Sequence, residues 1–236
     1  MKNREMMNAD ECKNIIKMTG LQINDYMKQE KKKRVRNYQY LNQKAIKDQI
    51  LFTGSSLMEQ FPINEIAMSD GLNKIIYNRG ISGTTTDDFI EEIDSVLFDL
   101  EPSKVFINIG TNDFNERNDG KDWRERLLAN YESILQKVKE RLPETEVFVM
   151  AYYPVKDDME ADMMTAEMLK IRTNENLNQI NYELKELAVK YGYQFIDVNT
   201  GIKDEQGRLR GDLAIEGIHM YANAYQIIYE NLKPYL

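Results

Sequence analysis

The run Lys104-Val105-Phe106-Ile107-Asn108-Ile109 stops at Gly110 and then presents Thr111, Asn112 and Asp113. Branched and aromatic residues at this density form a buried strand. A strand that ends at glycine delivers the polar side chains that follow at its carboxyl end. The same arrangement recurs: Ile50-Leu51-Phe52-Thr53 runs into Gly54-Ser55-Ser56, and Ile75-Ile76-Tyr77-Asn78 into Arg79-Gly80-Ile81-Ser82-Gly83. Strands this continuously apolar need cover on both faces, which parallel sheets obtain from crossover helices. In open α/β sheets, ligands bind outside the carboxyl ends of the strands.

The rest of the chain supports that reading. Strands are expected at about 49–53, 74–77, 104–109, 146–151 and 193–197. A short helical turn after Ser56 carries Leu57, Met58 and Phe61 and ends at Pro62. A helix capped by Thr86 is expected to carry Phe89, Ile90, Ile93, Val96, Leu97 and Leu100 as far as Pro102. Further helices are expected at 121–141, at 163–190 with Gly192 as its left-handed cap, and at 221–233. Five strands alternating with helices imply right-handed crossovers and a parallel sheet. Segments 113–120 and 152–163 are long enough to be active-site loops.

Residues 1–47 precede this pattern as a helical extension, leaving 48–236 as the main domain. Ile15, Ile16, Met18, Leu21, Ile23, Tyr26 and Met27 form a broken apolar stripe that Gly20 interrupts. The basic run from Lys28 to Arg36 reads either as a patch for nucleic acid or anionic lipid or as a solvated helix face. The net charge of −8 favours the solvated face and argues against nucleic acid as a partner. Tyr38, Tyr40 and Leu41 are expected to tack the extension to the body. A helical arm of this kind is expected to cover either a neighbour, as in a homodimer, or its own sheet. The single cysteine, Cys12, forms no intramolecular disulfide, and no apolar run is long enough to span a membrane, so a cytoplasmic location is expected. The 13 methionines are expected mainly as core filler, the alternative being an adaptable apolar surface.

The chemistry-bearing residues fall at the strand ends. Ser56 on a tight strand-to-helix turn would expose its hydroxyl and present its backbone N–H at a helix N-terminus, where it can bind an oxyanion. The plain alternative is that Ser55 or Ser56 caps the helix. His219, the only histidine, has the side chain whose ordinary pKa suits proton transfer near neutrality. Glu216, three residues earlier, would neighbour it in a helical turn and orient its ring, giving a nucleophile, base and orienting acid. Glu216 and His219 could instead contribute to a metal site, although one histidine without nearby cysteine supplies few ligands. We therefore expect no metal and no cofactor. Asn112 and Gly83 can donate N–H groups, completing an oxyanion hole with the Ser56 N–H. Asp113 reads as a loop cap for the next segment.

These blocks together resemble the SGNH (GDSL-like) hydrolase superfamily, named for Ser, Gly, Asn and His. Asn78-Arg79-Gly80-Ile81-Ser82-Gly83 and Ile109-Gly110-Thr111-Asn112-Asp113 are similar to the platelet-activating-factor acetylhydrolase-like branch. The resemblance covers about 48–236. It implies a flavodoxin-like three-layer α/β/α sandwich with a five-stranded parallel sheet of order 2-1-3-4-5. It also implies metal-independent ester hydrolysis through an acyl-serine. Carried over by position, Ser56 is the nucleophile, His219 the base, and Ser56, Gly83 and Asn112 the oxyanion hole. Two positions depart from the family pattern. Ser55 stands where the family usually has Asp, and Glu216 where the triad acid is usually Asp.

The expected activity is therefore that of a serine esterase acting on a small-molecule ester with a short, acetyl-type acyl group. Two alternatives stand beside it. One is a carbohydrate O-deacetylase, with Tyr152 and Tyr153 stacking on a sugar unless they simply finish the fourth strand and pack. The other is a weakened, ligand-binding member of the fold. Its motive is Glu216, whose extra methylene shifts the carboxylate by about 1 Å, a displacement that can cost roughly 10²-fold in rate.

Overall fold

Side chains alternate across a strand, so each apolar run here must feed two cores. In the computed structural model, which describes residues 9–116, 120 and 122–236 (for 9–21, 23 and 24 the backbone alone), five parallel strands do this. They are β1 (Ile50–Gly54), β2 (Ile76–Asn78), β3 (Lys104–Asn108), β4 (Glu146–Met150) and β5 (Gln194–Ile196), in the spatial order β2-β1-β3-β4-β5. Phe52, Phe106 and Phe148 share one register row, and their rings stack at centroid distances of 4.6 and 4.7 Å. They face one core, and Leu51, Val105, Ile107, Val147 and Val149 face the other.

The helices complete a three-layer sandwich. On the phenylalanine side lie α2 (Ser56–Glu59), α3 (Ile63–Ser69) and α9 (Ala222–Leu232), with Leu57, Met58, Ile63, Tyr225 and Ile228 buried. The opposite face is covered by α1 (Ala9–Asn42), α4 (Thr86–Glu91), α5 (Ile93–Val96), α6 (Trp123–Arg141) and α8 (Asn174–Tyr191). The remaining helix, α7 (Met163–Leu169), precedes α8, and 3-10 turns occupy Phe98–Leu100, Thr111–Asp113 and Lys233–Tyr235. The sheet order and the layering match the expectation from the sequence.

Several details differ. The helix expected over 163–190 is two helices separated at 170–173. Asp162 caps α7, and the Thr173 hydroxyl accepts from Asn176 N–H to start α8. The helix expected between Thr86 and Pro102 is broken at Glu92 and Leu97, where the backbone leaves helical geometry. A long-range contact accompanies the break: Asn42 of α1 donates to the Ser95 carbonyl at 2.8 Å. The cap of α4 is Thr85 rather than Thr86, in a reciprocal capping box with Asp88. Pro62 both ends the turn after Ser56 and opens α3, an element the sequence reading lacks.

The extension is one helix whose backbone continues through Gly20. The side chains of Ile15, Ile16, Met18, Leu21 and Ile23 lie outside the described residues. Val35 and Tyr38 are buried against the body, and the Tyr38 hydroxyl donates to the Gly80 carbonyl at 2.8 Å. Tyr40 and Leu41 do not tack it down: they are 55% and 57% exposed. The basic run is mostly solvated, but Lys31 pairs with Asp88 and Arg34 with Glu59, both at 2.6 Å. The methionines divide: Met58, Met150 and Met220 are core, whereas Met68, Met163 and Met164 are exposed and fill no core. Of the two expected loops, 113–120 is described only in part, and 152–163 is irregular up to the start of α7. No helix among the described residues is long and apolar enough to cross a membrane.

Candidate active site

The site is assembled where β1 meets the end of β3. Gly54 closes β1 with φ +153°, and a Cβ there would lie 1.9 Å from the Asn108 carbonyl oxygen. Only glycine lets the two strand ends approach this closely. The chain then turns at Ser55 into α2. Ser55 occupies the cap position but makes no side-chain cap bond, and Ser56 is the first helical residue. The Ser56 N–H therefore has no carbonyl in its own helix to bond.

His219 reaches Ser56 from a loop near the other end of the chain. That loop is held as a narrow hairpin: Ala214 bridges Met220, Ile215 N–H donates to the His219 carbonyl at 2.9 Å, and Tyr221 N–H to the Leu213 carbonyl at 2.9 Å. The 152–163 loop is stitched to it, since Lys156 N–H donates to the Gly217 carbonyl at 2.7 Å. Glu216 and His219 thus meet in an irregular turn and not in the helical turn expected from their spacing. Glu216 Oε1 accepts from the His219 backbone N–H at 3.1 Å and contacts ring atom Nδ1. Facing a carboxylate, Nδ1 carries the proton. Nε2 then accepts from the Ser56 hydroxyl at 2.9 Å.

The candidate oxyanion donors lie on the loops that follow β2 and β3. Ile81 N–H donates to the Gly54 carbonyl at 3.0 Å, which seats the 79–84 loop beside β1. Gly83 follows with φ +71°. Asn112 sits on the 3-10 turn after Gly110, and its Nδ2 donates to the Thr84 carbonyl at 3.0 Å. A Cβ on Gly110 would lie 2.1 Å from the hydroxyl of Tyr152, which itself donates to the Ile109 carbonyl at 2.7 Å. Burial pushes the Tyr152 hydroxyl well above its ordinary pKa, so it remains a neutral donor.

All the site residues expected from the sequence therefore lie at one edge of the sheet. Asp113 is a cap, though of α4 and not of the following segment: it accepts from Thr86 N–H at 2.9 Å and from the Thr86 hydroxyl at 2.6 Å. Tyr152 and Tyr153 are buried and face no open cleft. Among the described residues, no cluster of three His, Cys, Asp or Glu side chains is placed to hold a metal ion.

Two residues of the site carry no signal in the sequence. Glu59 accepts from Ser82 N–H at 2.6 Å while pairing with Arg34, so it ties the Gly83 loop to α1. Arg172, in the break between α7 and α8, donates to Asn112 Oδ1 at 3.0 Å. Burial pulls its pKa down to about 10, opposed by Tyr152, Asp113 and Glu216, so it is cationic at neutral pH.

Comparison with known proteins agrees with this architecture. The model of the GDSL-like lipase/acylhydrolase family matches residues 65–227. A structure from Streptococcus pneumonia, provisionally described as a platelet activating factor, is 30% identical with a TM-score of 0.80, covering 92% of this chain and 98% of its own. A GDSL-like lipase from Bacteroides thetaiotaomicron is 19% identical with a TM-score of 0.69, covering 85% and 96%. An acetylxylan esterase from Geobacillus stearothermophilus, 17% identical with a TM-score of 0.57 and covering 80% and 94%, shares the fold. No curated protein sequence matches the chain. The chain belongs to the GDSL-like lipase/acylhydrolase family and is a hydrolase acting on esters.

Proposed function

We propose that this chain hydrolyses short-chain, acetyl-type esters of a small-molecule alcohol through an acyl-serine intermediate. The observation that carries the proposal is the unbroken contact from Glu216 through His219 to Ser56. In this reading His219 Nε2 takes the hydroxyl proton as Ser56 Oγ attacks the ester carbonyl. The oxyanion is held by the N–H groups of Ser56 and Gly83 and by Asn112 Nδ2. Collapse expels the alcohol, which takes its proton from His219. Water, deprotonated by His219, then releases the acid and regenerates Ser56. Glu216 fixes the ring tautomer and stabilises the imidazolium. No cofactor enters the scheme.

The same proposal takes residues 48–236 as the hydrolase unit and 1–47 as an extension, active in the cytoplasm. It includes a homodimer through the extension, supported by the exposed Tyr40 and Leu41 on α1. A solution mass of a single 27.7 kDa chain would remove that part.

The test is hydrolysis of p-nitrophenyl esters from acetate to octanoate by wild type and Ser56→Ala. Turnover of the short esters by wild type alone supports the reading; equal turnover by both overturns it. Carbohydrate deacetylation keeps the same chemistry but loses its stacking rings, because Tyr152 and Tyr153 are buried. Faster release of acetate from acetylated xylose than from p-nitrophenyl acetate would restore it. Absence of turnover with retained ligand binding would favour a weakened, binding member.

A further inference from the structure

Arg172 is 5% exposed, and a guanidinium is rarely taken out of water without a reason. Its backbone lies in the short break between α7 and α8, where Arg172 N–H bonds the Met168 carbonyl at 2.9 Å. Its side chain points into the protein. Nη2 donates to Asn112 Oδ1 at 3.0 Å, and Nε has no hydrogen-bond partner among the described residues. The charged groups around it are Asp113, which is fully buried, and Glu216. The cation therefore holds the Asn112 amide oxygen, with Asp113 and Glu216 as carboxylates near enough to favour its charged form.

An Asn side chain can turn over, exchanging its oxygen and nitrogen at little cost unless its partners forbid it. Here both partners do. The Thr84 carbonyl accepts from Nδ2 at 3.0 Å, and the guanidinium donates to Oδ1. Turned over, the amide would set oxygen against the Thr84 carbonyl and N–H against the cation. In the observed orientation one Nδ2 hydrogen is held by Thr84, and Nδ2 has a second hydrogen to donate. A cation on Oδ1 also draws electron density from the amide and strengthens Nδ2 as a donor.

We propose that Arg172 is the positioning residue of the oxyanion hole: it locks the Asn112 amide with N–H toward the substrate oxygen and polarises it there. This rests on the serine-esterase reading above. Arg172 touches no reacting atom and acts through Asn112 alone.

The test is a double-mutant cycle on p-nitrophenyl acetate with Asn112→Ala, Arg172→Met and the pair, and with Ser56→Ala as the reference for background turnover. Losing an oxyanion donor costs roughly 10²–10³-fold in kcat, and loss of its anchor should cost less. We expect Arg172→Met to lower kcat by roughly 10–100-fold with KM within about twofold, since the interaction grows with the oxyanion. In the Asn112→Ala background the same change should cost less than about threefold, because the group it positions is gone. Equal losses in both backgrounds, or no loss in the first, would overturn the proposal. If Arg172→Met does not fold by thermal melting, the cycle is run with Arg172→Lys, which keeps the charge and lacks the planar fork. The same criterion then applies. Wild-type turnover in Ser56→Ala would overturn the underlying reading instead, and this proposal with it.

Discussion

His219 Nε2 lies 2.9 Å from Ser56 Oγ across 163 residues of sequence. One partner opens a helix at the end of β1, and the other sits in a hairpin before α9. A histidine brought this far to one serine hydroxyl, with a carboxylate on its other nitrogen, is placed to take that proton. Ser56→Ala and His219→Ala should each lower kcat on p-nitrophenyl acetate by roughly 10⁴-fold or more. Melting temperatures should stay near that of wild type, because neither residue fills a core. A kcat within tenfold of wild type for either variant would remove it from the mechanism.

Glu216 makes two contacts through one oxygen, to Nδ1 and to the backbone N–H of His219. The irregular turn thus accommodates the longer side chain that the family pattern does not lead one to expect. Glu216→Gln should lower kcat by roughly 10²–10⁴-fold, since an amide can hold the wrong tautomer. Glu216→Asp should also lower it, by roughly 10–100-fold, because the carboxylate is drawn back from a loop already fitted to Glu. A rise in kcat for Glu216→Asp would identify a drifted enzyme instead.

The sheet was legible because parallel strands are buried on both faces and read as unbroken apolar runs ending at glycine. The site was legible for a related reason. Ser56, Gly83 and Asn112 follow those runs directly, and Glu216 and His219 are close in sequence. What was hidden depends on contacts between distant residues. The breaks around Leu97 and Arg172 go with Asn42 on the Ser95 carbonyl and Arg172 on Asn112, which no local periodicity records. Among Thr84, Thr85 and Thr86, composition cannot choose the cap; Asp113 decides it by occupying the Thr86 hydroxyl. The sites of attachment of α1 are not legible in the sequence, because Tyr38 and Tyr40 differ only in which face of the helix meets the body.

Gly54 and Gly83 both have positive φ, yet they should respond differently to alanine. At Gly54 the new Cβ meets backbone: the Asn108 carbonyl oxygen at 1.9 Å and its carbon at 2.8 Å. At Gly83 the nearest atom is the flexible Lys31 Cε at 3.4 Å. Gly54→Ala should cost roughly 3 kcal/mol or more in urea unfolding, and Gly83→Ala about 1–2 kcal/mol from backbone strain. Equal losses would show that the approach of β1 and β3 is not what fixes Gly54.

Asp88 links α1 to the body through Lys31 while closing the capping box of α4. Burial alone would raise its pKa, but the hydrogen bonds from Lys31 and Thr85 outweigh it and hold the carboxyl below its ordinary value. A carboxyl lowered in the fold contributes stability that is present above its unfolded value, at about pH 4, and is lost as pH falls through the folded value. Thermal melts of wild type and Asp88→Asn should therefore differ at pH 7 and converge below about pH 3. A difference that stays constant from neutral to acid pH would contradict the assignment.

The central claim is that Ser56 is the atom acylated. It is tested most directly by reacting the protein with a fluorophosphonate, which phosphonylates activated serines, and measuring peptide masses after digestion. The account predicts one added phosphonate group, on the peptide bearing Ser56, formed in wild type and absent from His219→Ala over the same interval. Modification of another residue, or equal labelling of Ser56 with and without His219, would contradict it.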